Sequence, residues 1–205
     1  MGQAPRRGAV PSTRASGDTV AIVATDGAGT WVSLIQSLFH AFGSGILDPR
    51  SGVLLHNRGA SFNLRPGSPN QLAGGRRPAH TLMPVLVRDG DRIVGAHGTM
   101  GGRAQAQIHT QIALDLARGA SAPEAVRLPR WVLGAMEAGV TDAETIIKVE
   151  QDVPASARSQ LDSRFSTETL PACDDLAGHV QLVRKDGDEV TAATDPRADG
   201  AALVG

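Results

Sequence analysis

The chain has 205 residues, 41% hydrophobic and 20% charged, with 20 Lys+Arg against 21 Asp+Glu. That is ordinary globular composition with enough material for a core, and neither a disordered polyelectrolyte nor a polyanion binder. Aromatic residues amount to 3% with no tyrosine, which argues against a base-stacking nucleic-acid surface, and the single cysteine, Cys173, excludes an internal disulfide framework or a cysteine-based zinc cluster.

The lead-in over residues 1–18 is rich in Gly, Pro, Arg, Ser and Ala without an apolar period, and reads as a disordered segment. No apolar h-region follows its arginines, and no run reaches the roughly eighteen apolar residues of a membrane span. At Thr19 the character changes. Thr19–Thr25 and Thr30–Ser37 are β-prone runs around the turn Asp26-Gly27-Ala28-Gly29, which predicts a hairpin. A short strand is expected over Gly52–His56, and residues 57–79 form a long loop of the kind that usually carries function. Met83–Val87 and Arg92–Ala96 flank Asp89-Gly90 as a second hairpin.

Gly98-Thr99-Met100-Gly101-Gly102 leads into a helix over about Ala104–Ala117, where Ile108, Ile112 and Leu116 repeat every four residues and Gly119 is the stop. Ser121 and Glu124 form a capping box for the next helix. A strand at Thr145–Val149, a short helix over residues 154–164 and a hairpin of Val180–Arg184 with Glu189–Ala193 complete the chain. Strands at both ends around central helices define an α+β class. Charge is divided: residues 1–103 hold eleven Lys+Arg and five Asp+Glu, whereas residues 104–205 hold nine and sixteen. This fits a basic pocket for acidic substrates, a basic partner-binding half, or two halves that neutralise each other in one fold.

The six histidines, His40, His56, His80, His97, His109 and His179, show no HxH or HExxH spacing, so neither a metal nor a cofactor is expected. Gly98–Gly102 before a helix is compatible with a phosphate cradle, but such turns are common. A threonine at the start of a strand is by itself explained by β propensity.

The landmarks together are more specific. Ser33-Leu34-Ile35-Gln36-Ser37, Phe42-Gly43-Ser44-Gly45, Asn57-Arg58-Gly59, Phe62, Pro69-Asn70, Arg76-Arg77-Pro78, His80-Thr81, Pro84, Met100-Gly101-Gly102, Pro129-Arg130-Trp131, Gly178-His179 and Asp195-Pro196-Arg197 stand in order along the chain. In this register the sequence resembles the γ-glutamyltranspeptidase family from Thr19 to the C-terminus.

The resemblance implies an N-terminal nucleophile (Ntn) hydrolase with an αββα sandwich, made as a precursor that cuts itself into a large and a small subunit. Residues 19–205 correspond to the small, nucleophile-bearing subunit, and Gly17-Asp18-Thr19-Val20 to the cleavage junction. Thr19 is then the nucleophile, Ser37 its supporting hydroxyl, and Gly101 and Gly102 the oxyanion-hole pair. Arg58, Ser61, His80 and Thr81 fall at substrate-binding positions.

The expected activity is hydrolysis or transfer of γ-glutamyl groups, as from glutathione, through a threonine acyl-enzyme. The expected partner is the large subunit, and neither nucleic acid nor membrane is expected. With no signal or anchor on the chain, a cytoplasmic setting is favoured.

Departures from the family pattern open a second reading. Phe39 stands where typical γ-glutamyl enzymes have Asn, Ser61 stands where they have an acidic residue for the substrate ammonium, and Arg58 replaces Gln. These changes favour an acylase or amidase for acidic acyl groups, similar to the cephalosporin-acylase branch. A non-catalytic remnant lacking its large subunit and a binding module built on the fold are the remaining alternatives.

Overall fold

The structure, a computed structural model, describes residues 19–134 and 145–205. The lead-in expected over residues 1–18 lies outside the described residues.

The predicted first hairpin forms from β1 (Val20–Thr25) and β2 (Trp31–Gln36), antiparallel with Val20 opposite Gln36 and Thr25 opposite Trp31. Its turn is set by Asp26, whose Oδ1 accepts from the backbone N–H groups of Ala28 (2.9 Å) and Thr30 (2.8 Å). Alternation gives the hairpin two faces. Ala21, Val23, Trp31, Ser33 and Ile35 turn inward, while Val20, Ile22, Val32 and Leu34 stay 42–56% exposed.

The 52–56 segment contributes β4 (Val53–Leu54), which pairs with the unpredicted β3 (Leu47–Asp48). Beyond it, the predicted hairpins β5 (Val85–Asp89) with β6 (Arg92–Thr99), and β10 (Val180–Asp186) with β11 (Glu189–Thr194), join into one sheet of order β11-β10-β6-β5. The inner face of the first hairpin packs on this sheet. Ser33 pins it there, its hydroxyl donating to the His97 carbonyl (3.1 Å) and accepting from the Val85 N–H (3.2 Å).

The other face of the sheet carries α1 (Gln105–Ala117) and α2 (Ala122–Arg127). Ile108 and Ile112 are fully buried with Leu116 packed beside them, as the four-residue spacing requires, and meet Val126, Val180 and Leu182 in the main core. Helix α1 ends at Gly119, whose φ is 97°, and the Ser121–Glu124 capping box opens α2 as predicted. The layers therefore run hairpin, sheet, helices, with the outer face of the hairpin apolar and open.

A smaller sheet, β7 (Trp131–Leu133), β8 (Ile146–Glu150) and β9 (Ser166–Leu170), lies beside α1. Here β8 and β9 are parallel, linked by α3 (Ala155–Asp162). Strands β7 and β9 were absent from the sequence reading. β7, Trp-Val-Leu, is too short to show an alternation, and β9 reads Ser-Thr-Glu-Thr-Leu with one apolar residue, so neither announces a strand by its own pattern. Their partners hold them: on α1, Gln107 exchanges donor and acceptor with the backbone of Leu133 and Gln111 with that of Trp131, while β9 pairs along β8.

Between the two sheets sits a buried ion network. Arg130 pairs with Asp195 (2.6 Å), Arg197 pairs with Asp195 (2.9 Å) and with Glu150, and Glu150 also accepts from the Arg130 N–H (2.7 Å). Two cations and two carboxylates, each at most 8% exposed, cancel in charge. Arg130 Nη1 also donates to the Ala177 carbonyl (3.0 Å) and holds the 177–178 turn against the core.

Candidate active site

The register that puts Val20 opposite Gln36 puts Thr19 opposite Ser37. Their side chains meet: Thr19 Oγ1 donates to Ser37 Oγ at 2.9 Å, partly buried. Ser37 Oγ also accepts the Phe39 N–H (3.0 Å), closing a short turn after β2. Phe39 occupies that turn with φ of 81°, a conformation that bulky residues rarely adopt.

From this turn the site extends to the loop over residues 57–79. Asn57 clamps it, accepting the His40 N–H on Oδ1 (3.0 Å) and donating from Nδ2 to His40 Nδ1 (2.9 Å). A single 3-10 turn, Arg58–Ser61, follows. The Arg58 guanidinium lies 4.4 Å from the centre of the Phe39 ring, and its Nη1 donates to Thr81 Oγ1 at 3.2 Å. Arg58 is only 9% exposed, burial holds its pKa below the usual guanidinium range, and among the described residues no carboxylate pairs with it. A buried cation without a counterion favours an anionic ligand.

Ser61 is buried, and its hydroxyl is directed at the carbonyls of Arg58 (2.9 Å) and Ala79 (2.8 Å). It ties the 3-10 turn to the segment carrying His80 and Thr81. His80 is exposed, with Nδ1 accepting the Leu82 N–H (3.2 Å). Of the four residues expected at substrate-binding positions, Arg58 and Thr81 touch directly, Ser61 ties their two segments together, and His80 is exposed.

Gly101 and Gly102 form the turn between β6 and α1, with φ of 142° and 50°. A Cβ on Gly101 would lie 2.7 Å from Ile108 Cδ1, so backbone conformation and space both call for glycine. The turn precedes a 3-10 segment, Gly102–Ala104, that runs into α1, placing backbone N–H groups at a helix entrance.

Behind the turn lies a feature the sequence reading missed. His97 on β6 and His109 on α1 are buried with Nδ1 atoms 2.8 Å apart, and His109 Nε2 bonds the Met83 carbonyl at 2.9 Å. Because a carbonyl only accepts, His109 carries its proton on Nε2, and His97 donates from Nδ1 to the bare Nδ1 of His109. Burial pushes both pKa values down to about 4, with the neighbouring ring contributing at His97. Gln105 Oε1 accepts the Met83 N–H (3.0 Å), so α1 holds both polar groups of that residue and fixes the strand entrance just after Thr81. No motif spacing announces a pair twelve residues apart, one on a strand and one on a helix. Among the described residues no group of three or more His, Cys, Asp or Glu side chains is arranged to hold a metal.

A hairpin packed on a sheet that is backed by helices, with a threonine heading the first strand, is the fold of the Ntn hydrolases. The γ-glutamyltranspeptidase family model matches residues 3–205, and the chain belongs to that family, in its small-subunit region.

The chain is 38% identical over 191 residues to the oxamate amidohydrolase proenzyme of Klebsiella pneumoniae and 34% identical over 198 residues to the glutathione hydrolase-like YwrD proenzyme of Bacillus subtilis. In both cases 91% of the chain is covered but only 35% of the relative, so the chain spans about a third of the length of these curated relatives. Among solved structures, cephalosporin acylase from Bacillus halodurans superposes with a TM-score of 0.78 at 30% identity, covering 90% of this chain and 34% of that one. A γ-glutamyltranspeptidase chain from Pseudomonas nitroreducens shares the fold with a TM-score of 0.73 at 21% identity, covering 90% and 97%.

Proposed function

We propose that the chain is the nucleophile-bearing subunit of an amide hydrolase for small acids that carry a free carboxylate, of the oxamate type, acting through an acyl-enzyme on Thr19. The observation that carries this reading is Arg58, buried with no carboxylate partner among the described residues, bonded to Thr81 and linked through Phe39 to the Thr19–Ser37 pair. A γ-glutamyl substrate also needs an acceptor for its ammonium. At the position where typical family members place an acidic residue, Ser61 is turned toward two backbone carbonyls. The 38% identity to an oxamate amidohydrolase supports the same substrate class.

In this reading the Asp18–Thr19 peptide is cleaved, freeing the Thr19 α-amine. An unperturbed α-amine has a pKa near 8 and so serves as a base for the adjacent hydroxyl. Thr19 Oγ1 attacks the amide carbon as its proton passes to the amine, and the N–H groups at Gly101 and Gly102 receive the oxyanion, each such donor being worth roughly 3–4 kcal/mol of barrier. The amine returns the proton to the leaving nitrogen as the C–N bond breaks. Water then attacks the ester, regenerating Thr19 and releasing the acid. Arg58 and Thr81 hold the distal carboxylate throughout, with His80 at the entrance.

The open apolar face of Val20, Ile22, Val32 and Leu34 supports a large-subunit partner packed over β1 and β2. The test is Thr19→Ala in the enzyme assembled with that partner, assayed for ammonia release from oxamate and from a γ-glutamyl amide. Loss of turnover, together with a mass beginning at Thr19 in the active protein, is the expected result. Turnover retained in Thr19→Ala sinks the nucleophile, and a preference for the γ-glutamyl amide sinks the substrate class.

A further inference from the structure

Phe39 is held in an unfavourable backbone conformation that nothing in its local sequence demands. At φ of 81° an asparagine or glycine fits at lower cost than a phenylalanine, so the aromatic ring must contribute something that the backbone opposes. The ring has two neighbours. It stacks on His40, with centroids 4.3 Å apart and planes at 26°, and the Arg58 guanidinium carbon lies 4.4 Å from its centre.

His40 is itself held by two bonds with Asn57, its N–H donating to Oδ1 and its ring Nδ1 accepting from Nδ2, which fixes the ring of Phe39 from behind. The guanidinium has one hydrogen bond to a side chain, Nη1 to Thr81, and among the described residues no carboxylate to set its orientation. Its plane is therefore set by the aromatic contact and by one hydroxyl.

The geometry points to Phe39 as a specificity-determining residue: its strained turn holds an aromatic platform that presents the Arg58 guanidinium edge-on to the carboxylate of an acid amide. An arginine free to rotate must lose that freedom when it binds, while one already held against a ring does not. The same turn is closed by Ser37, the hydroxyl that accepts from Thr19, so the platform also fixes the separation between the nucleophile and the anion-binding group. A fixed separation favours rigid acid amides over flexible ones. The inference rests on the proposed role of Arg58.

The test is calorimetric titration of the full chain with oxamate, which has a carboxylate, and with oxamide, its uncharged counterpart. The wild-type protein is expected to prefer oxamate by at least about tenfold, as a charge-assisted, two-point guanidinium contact allows. Phe39→Leu keeps the bulk and the strained backbone but lacks an aromatic face. It is expected to weaken oxamate binding about fivefold, the cost of ordering one free side chain, with oxamide unchanged. Phe39→Asn relieves the backbone yet is expected to show the same loss, and Phe39→Tyr is expected to restore the preference. Wild-type preference in both the Leu and Asn variants, with loss in Arg58→Ala, overturns the platform and leaves Arg58 standing. Absence of any preference in the wild-type protein overturns the role of Arg58 and the platform with it.

Discussion

Acidification tests the buried histidine pair directly. An unfolded imidazole has a pKa near 6.5, whereas burial holds His97 and His109 at about 4. Between those values the unfolded chain binds protons that the folded chain refuses. Stability is therefore complete above about pH 6.5 and is lost progressively as the pH falls toward 4. From pH 7 to pH 5 each histidine should remove about 2 kcal/mol, or about 4 kcal/mol for the pair, a large share of a typical domain's stability.

Urea unfolding of the full chain at pH 7, 6 and 5 measures this above the range where ordinary carboxylates take up protons. His179, whose pKa is also lowered mainly by burial, adds a loss of the same sign. The control is His109→Gln, which keeps a donor for the Met83 carbonyl but does not titrate and should lose about half as much over the interval as the wild-type pair. A flat wild-type profile, or an equally steep one for His109→Gln, would refute neutral burial of the pair.

Two further substitutions test the frame behind the candidate site. Gly178→Ala should cost about 2–3 kcal/mol, since φ is 90° and the added Cβ would lie 2.8 Å from Thr99 Oγ1 and 2.9 Å from the Met100 carbonyl. Thermal unfolding checks this, and an unchanged midpoint would mean that the turn relaxes freely. Arg130→Met should cost about 3 kcal/mol by urea unfolding, because it breaks the pair with Asp195 and removes the donor to the Ala177 carbonyl, and a loss below about 1 kcal/mol would show the buried network to be dispensable.

Much of the local frame was legible in the chain itself. Alternation of Val20–Thr25 and Trp31–Gln36 around Asp26–Gly29 specifies a hairpin, and once its register is counted Thr19 faces Ser37. The four-residue spacing of Ile108, Ile112 and Leu116 and the Ser121–Glu124 box likewise act within one element. Strands β7 and β9 escaped because their pairing is imposed by Gln107, Gln111 and β8 rather than by an apolar pattern of their own.

What the sequence alone determined is thus the locally coded elements, short of β3, β7 and β9, and the family landmarks that place Thr19, Arg58, Thr81 and the Gly101–Gly102 turn in order. Tertiary structure alone decided that His97 meets His109, that Arg130, Arg197, Asp195 and Glu150 neutralise one another, and that the Phe39 ring lies against an arginine with no carboxylate partner among the described residues. Periodicity and turn chemistry are properties of neighbours along the chain. Burial, proton placement and the surroundings of Arg58 depend on which distant residues the packing brings together.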